Sequence, residues 1–195
     1  MSITQTLDVT SLGKLQSEFR GQLILRGDND YDHSRVVWNA IADRYPALIA
    51  RCTRVDDVIA AVRFARRHDL VIAVRGGGHS VAGFSTCDGG VVIDLSGMRG
   101  VTVDPAKRTA RVEGGALLEQ LDRAAQEYGL ACPVGVVGHT GVAGLTLGGG
   151  HGPPPAKARV HDRQSPLGRP RDRGRRGPRG DERPAAAHDG WQLRQ

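Results

Sequence analysis

Two glycine-rich segments hold most of the residues whose types and spacing could do chemistry. The first, VIAVRGGGHSVAGFSTCDGG, puts Gly76, Gly77 and Gly78 after the apolar run Val71–Val74 with only Arg75 between. Three residues without a Cβ at that exit let backbone N–H groups converge on an anion such as a diphosphate. A Rossmann fingerprint would need a helix at once, to set its N-terminus on the pyrophosphate. The residues that follow, VAGFSTCDGG, cannot sustain one. A Walker loop would need Gly-Lys-Ser/Thr, which is missing. A phosphate-binding loop that feeds a strand is the stronger reading, with a simple tight turn as the competitor. The second segment, ACPVGVVGHTGVAGLTLGGGHG, has glycines at 135, 138, 141, 144 and 148–150. It too lets backbone approach a flat ligand, so the pair reads as two walls around one large cofactor.

The elements that must position these segments are legible as pattern. Residues 9–20 can form a short helix, and GQLILRGD reads as a strand running into a loop. ALIAR (47–51) reads as a strand. Thr53 opens a helix with Asp56 as its capping-box partner, and Val55, Val58, Ile59, Val62 and Ala65 recur at helical spacing. VIAV (71–74) and GGVVIDL (89–95) are strands, and 101–104 with 109–114 form a hairpin around Pro105. ALLEQLDRAAQEYG is an amphipathic helix ending on Gly129. Helices and strands mix without strict alternation, so the expected fold class is α+β.

Composition is ordinary for a globular chain, with 39% hydrophobic and 25% charged residues. No run approaches the roughly 18 apolar residues needed to cross a membrane, and no signal-peptide core opens the chain. The expectation is a soluble cytoplasmic protein with no membrane partner. Cys52, Cys87 and Cys132 lie far apart without CxxC spacing, which predicts free thiols and no metal site. The net charge of +6 is local. Residues 1–152 hold sixteen basic and sixteen acidic residues, whereas 153–195 hold eleven and five. Seven of the ten prolines also fall after residue 152, so two compositions join there.

The motifs together resemble the berberine bridge enzyme-like FAD-linked oxidases, of the vanillyl-alcohol oxidase and p-cresol methylhydroxylase superfamily. The resemblance rests on Arg75-Gly-Gly-Gly-His-Ser, on CDGGVVIDLS from Cys87, and on GHTGVAGLTLGGG from Gly138. RGDNDYDHSRVVWN and VDDVIAAVRFARRH add to it, so that it covers residues 20–150. It implies the N-terminal portion of a p-cresol methylhydroxylase-type FAD-binding domain, organised as an N-terminal segment (1–34), an incomplete FAD-binding domain (35–152) and an Arg/Pro-rich disordered tail (153–195).

The resemblance also implies roles. The histidine of the RGGGHS loop, here His79, is joined in this family through a ring nitrogen to the 8α-methyl of the flavin. A neutral imidazole is a suitable nucleophile, and the bond raises the flavin's oxidising power. Arg75, Gly76, Gly77, Gly78, Ser80 and Gly83 would cradle the diphosphate. Ser96 and Met98 would lie near the cofactor. Val137, Gly138, His139, Thr140, Gly141, Gly144 and Leu145 would line the isoalloxazine and ribityl chain. His139 either faces the flavin or caps its loop. Some relatives carry a second link from a cysteine to flavin C6, and Cys132 falls near that position. Its spacing to His139 is one residue shorter than in those relatives, and the alternative is an unmodified thiol in an apolar wall.

Relatives continue after the GGG motif into further FAD-binding motifs and a substrate domain. Residues 153–195 instead show no apolar periodicity. Written as degenerate codons and read one nucleotide out of register, the tail permits Thr-Ile-Asp-Asn-Leu-Leu-Ser from His161 onward. It then permits Val-Asp-Leu-Val-Thr-Ala-Asp-Gly-Glu-Val across 168–177 and Gly-Gly-Asn-Phe-Gly across 190–194. These are family motifs in family order, so the expectation is a one-nucleotide shift near the codon for His151. The competing reading is a disordered arginine-rich arm that binds nucleic acid; the expectation is no nucleic-acid partner. The implied function is a flavin-dependent oxidase that passes a hydride from a small-molecule substrate to FAD and then to O2. As written, the chain is expected to be an inactive fragment with no proton-transfer residue. The alternatives are a non-catalytic flavin binder and an unstable product. Substrate and oligomeric state are not legible.

Overall fold

The computed structural model describes residues 9–150 and the backbone of 191–194. A four-stranded sheet has the order β1-β2-β4-β3, built from Gln22–Leu25 (β1), Leu48–Arg51 (β2), Val91–Asp94 (β4) and Ile72–Arg75 (β3). β1 is antiparallel to β2, whereas β2, β4 and β3 are mutually parallel. The central strand β4 is buried at every position, as its four consecutive apolar or paired residues require. α3 (Val55–Arg67) crosses one face of the sheet and α1 (Val9–Glu18) packs on α3. Leu48, Ala50, Val91 and Ile93 meet Ala61, Phe64 and Ala65 there. The alternate residues Ile49, Val92 and Ala73 face Ile24, Tyr31 and Cys87 on the other side. The two-residue period of the strands thus divides one apolar set between two packed faces.

Parallel neighbours need a crossover, most often a helix. Between β3 and β4 that crossover is the first glycine-rich segment, and it contains no helix. A short α2 (Tyr31–Arg35) precedes the sheet's second strand. Beyond β4, the hairpin β5 (Val101–Asp104) and β6 (Thr109–Val112) pairs through β6 with β7 (Trp191–Arg194). α4 (Leu118–Gln126) and α5 (Val142–Gly148) close a second core of Val112, Ala116, Leu118, Leu121, Val134 and Val142. Gly129 turns the chain out of α4 at φ +65°, as predicted.

The mixed α+β architecture is the expected one, with four differences in detail. Thr53 does not pair with Asp56. Its N–H and its hydroxyl both donate to Asp57, at 3.0 Å each, one position further along α3. Asp57 is buried and also accepts the N–H groups of Arg20 and Gly21, so one carboxylate joins α1, β1 and α3. The stretches holding α2 and α5 read as loop in the sequence. Of the tail expected to be disordered from 153 onward, 153–190 and 195 lie outside the described residues, while Trp191–Arg194 form β7.

Candidate cofactor-binding site

The three parallel strands end level with one another. Arg51, Asp94 and Arg75 are their last residues, paired Arg51 with Asp94 and Arg75 with Asp94. The register places a carboxylate between two guanidinium groups at the carboxyl edge of the sheet, where open α/β sheets bind ligands. Asp94 Oδ2 accepts from Arg75 Nη2 at 2.9 Å and from Arg51 Nε at 3.2 Å, and Oδ1 accepts the Ser96 N–H at 3.0 Å. Burial pushes the Asp94 carboxyl up, but the Arg75 charge and these hydrogen bonds outweigh it and hold it below the usual carboxylate range. Arg51 also donates to Ser34 Oγ at 2.9 Å.

From Arg75 the chain leaves the sheet as Gly76-Gly77-Gly78-His79. Gly77 and Gly141 are in backbone contact: a Cβ on either would collide with the other's main chain. The two glycine-rich segments therefore touch, which a side chain at either position would prevent. Gly78 has φ +72° and Gly83 φ +74°, where glycine is strongly favoured. Among the described residues no acceptor takes the N–H groups of Gly77, Gly78 or His79. The Trp38 N–H donates to Gly78 O at 3.2 Å, and the Trp38 ring stacks on His79 with centroids 5.1 Å apart. On its other side His79 Nε2 lies 2.6 Å from His139 Nδ1. Burial, and then the neighbouring His139, lower the His79 pKa, which favours the neutral imidazole.

Two clefts flank this loop. One of about 390 Å³ runs between Gly76–Ser80, Phe84 and Ser85 on one wall and Thr140, Gly141, Gly144 and Leu145 on the other. The second, about 330 Å³, is lined by Trp38, Arg51, Arg75, Asp94, Ser96, Arg99 and His139 together with Gly76–His79. Ser85 Oγ, on the first cleft, is buried without a hydrogen-bond partner among the described residues. Free backbone donors, an orphaned hydroxyl and a Cβ-free junction suit a ligand bearing phosphate and a flat ring.

The expected site residues divide by place. Gly76, Gly77, Gly78 and His79 border both clefts. Ser80, Thr140, Gly141, Gly144 and Leu145 line the first, and Arg75, Ser96 and His139 the second. Gly83 lines neither; it sits in the turn closed by its N–H to Ser80 O at 3.0 Å. Met98 is buried in the main core. Gly138 O accepts the Glu119 N–H at 2.9 Å and Val137 O the Thr140 N–H at 3.0 Å, so both serve the loop's own geometry. Cys132 packs beside the second core and lines a small apolar pocket with Leu121, Ala125 and Leu130. Burial, then Asp122, raise its pKa to about 11. Sequence reasoning missed Trp38, Arg51, Asp94 and Ser85. Trp38 carried a signal, as one of two tryptophans in a chain with only 4% aromatics.

A domain model described as "FAD binding domain" matches residues 46–162. The chain belongs to that family, and the proteins it resembles are FAD-linked oxidoreductases. It is 39% identical over 137 residues to the uncharacterized FAD-linked oxidoreductase YgaK of Bacillus subtilis, covering 70% of this chain and 30% of that protein. It is 38% identical over 133 residues to (R)-6-hydroxynicotine oxidase of Paenarthrobacter nicotinovorans, covering 68% and 29%. Among solved structures, 6-hydroxy-D-nicotine oxidase from Arthrobacter nicotinovorans superposes with TM-score 0.67 at 38% identity, covering 69% and 30%. BBE-like 1 of Physcomitrella patens gives TM-score 0.74 at 29% identity, covering 79% and 34%. The chain thus spans about a third or less of the length of these relatives.

Proposed function

We propose that this chain forms the FAD-contacting walls of a flavin-dependent oxidase and that His79 is the covalent anchor of its flavin. The observation that carries the reading is the backbone contact of Gly77 with Gly141, which brings both glycine-rich segments together beside the His79 imidazole. Gly76, Gly77 and Gly78 with Ser80 offer donors to the diphosphate, and Thr140, Gly141, Gly144 and Leu145 form the wall for the ring system. Ser85 supplies a further hydroxyl to the same cleft. Arg75 is held away from free solvent by Asp94, so its charge reinforces the loop and does not sweep across the site. Bound FAD supplies the two-electron acceptor for hydride from a small-molecule substrate, with O2 as final acceptor in the whole protein. The position of Cys132, which lines neither cleft, supports attachment through His79 alone.

Expression of the chain with FAD, acid precipitation and flavin fluorescence of the pellet test this. The expected outcome is flavin that stays with the precipitate in the wild type and in Cys132→Ala. In His79→Ala, flavin should be released entirely into the supernatant. Acid-stable flavin in His79→Ala would place the anchor elsewhere.

A further inference from the structure

We infer that Asn39 is a positioning residue for the diphosphate of FAD. Its side-chain amide holds the Val81 carbonyl and, with the Trp38 N–H, fixes the peptide planes that aim the glycine loop's donors at the cofactor. This rests on the FAD reading given above.

A helical crossover holds its own shape through internal hydrogen bonds. The crossover from Gly76 to Gly90 contains no helix, and among the described residues its own backbone closes only two turns. These run from the Gly83 N–H to Ser80 O and from the Thr86 N–H to Gly83 O. The rest of its shape comes from residues 38–45, which lie beside it and run in the same direction. The Trp38 N–H donates to Gly78 O at 3.2 Å, and Asn39 Nδ2 to Val81 O at 2.7 Å. Further along, Arg44 Nη1 donates to Thr86 O at 3.2 Å and the Tyr45 N–H to Asp88 Oδ1 at 2.8 Å. Gly83 belongs to the same seam, since a Cβ there would lie 2.6 Å from Ala42 Cβ.

In a trans peptide the C=O of one residue and the N–H of the next point in opposite directions. Holding Gly78 O toward Trp38 therefore turns the His79 N–H away from Trp38, which lines only the second cleft. That N–H has no acceptor among the described residues, and Ser80, the next residue, lines the first cleft. Val81 O, held by Asn39, fixes the far end of the same short stretch. Asparagine is suited to this place by both ends of its amide. Its Oδ1 accepts the Ile41 N–H at 3.2 Å, which turns Nδ2 toward Val81. Aspartate could accept the same N–H but would set a second acceptor against the Val81 carbonyl. Trp38 and Tyr45 act through the backbone, and Arg44 reaches the crossover only at Thr86. Asn39 is thus the side chain that anchors the stretch next to the diphosphate donors.

The FAD affinity of the full chain is measured by flavin fluorescence quenching. That of ADP, which carries the diphosphate without the flavin, is measured by calorimetry. Asn39→Ala and Asn39→Asp should each weaken FAD about fivefold or more, the scale of one lost hydrogen bond, and weaken ADP by the same factor. Asn39→Gln, which keeps an amide donor, should recover most of the loss. The aspartate variant retains the bond to the Ile41 N–H and keeps the test alive if the alanine variant does not fold. Wild-type FAD affinity in both variants, or a loss for FAD with none for ADP, overturns the inference and leaves the FAD reading intact. So does a glutamine variant no better than alanine, or a wild type that binds FAD but no ADP. A wild type that binds no FAD overturns both.

Discussion

Asp94 carries the charge balance of the candidate site in a single side chain. Its exposure is 1%, and both oxygens are committed to Arg75, Arg51 and Ser96. Removing its charge in Asp94→Asn leaves the buried Arg75 guanidinium without its counter-charge, which should cost about 3–5 kcal/mol, read from urea unfolding. The same carboxylate sets a pH dependence. Asp94 and Asp57 both titrate below the usual aspartate range in the folded chain, the first held there by Arg75 and the second by N–H groups of Arg20 and Thr53 against the opposing effect of burial. The unfolded chain then binds more protons, so stability rises with pH through this region. Their contribution should be complete above the unfolded value of about 3.9 and lost as pH falls through the lower folded values. Acid unfolding of Asp57→Asn should accordingly show a shallower pH slope than the wild type. The sequence made Arg75 and His79 legible because both stand inside a recognisable motif. It hid the role of Asp94 because that role exists only through register: no spacing rule says that positions 51, 75 and 94 end three strands side by side.

At the scale of elements, the site depends on two loops meeting without side chains between them. Gly141→Ala would drive a methyl into the Gly77 backbone, and Gly77→Ala the reverse. Either change should weaken FAD binding by at least about tenfold, the effect of a displaced wall worth some 1.4 kcal/mol, measured by flavin fluorescence quenching. The contact was foreseen in kind, since two glycine-rich stretches imply close approach. The particular pair was not, because every glycine looks alike in sequence. α5 escaped notice for a related reason. VAGLTLG holds two glycines and two β-branched residues in seven, so propensity argues against a helix. The helix exists because Val142 buries in the second core with Leu145 packed against it, and burial outweighs propensity. The helix α3 shows the converse. Its apolar spacing was clear, but its N-terminal partner was displaced by one residue, since Asp57 faces Arg20 and Gly21 as well as Thr53. Thr53→Ala, which removes the hydroxyl bond and leaves the others, should cost about 1 kcal/mol in thermal or urea unfolding.

At the scale of the whole molecule, the exposed side of β3 connects the fold to the chain's peculiar composition. β3 has β4 on one side and no strand on the other among the described residues. Val71, Ile72 and Val74 there are 64%, 37% and 55% exposed, and Phe84 nearby is 75% exposed. An unpaired strand edge with exposed valines is an association hazard. The relatives are more than twice as long, so they have further chain with which such an edge can be covered. In this sequence the residues after 152 are rich in arginine and proline, and they carry the entire net charge of +6. We propose that a one-nucleotide shift near the codon for His151 separates them from a family frame. Two measurements bear on this. Sequencing the locus should recover an open frame that continues with the expected flavin-domain motifs; an Arg/Pro-rich frame with no such continuation overturns the idea. Light scattering of the chain as given should show self-association that Val71→Lys reduces, whereas protein made from the frame-corrected gene should remain monodisperse with Val71 unchanged. If the corrected protein associates as strongly as the original, the missing cover is not what the edge lacks, and the apolar strand must be occupied in some other way.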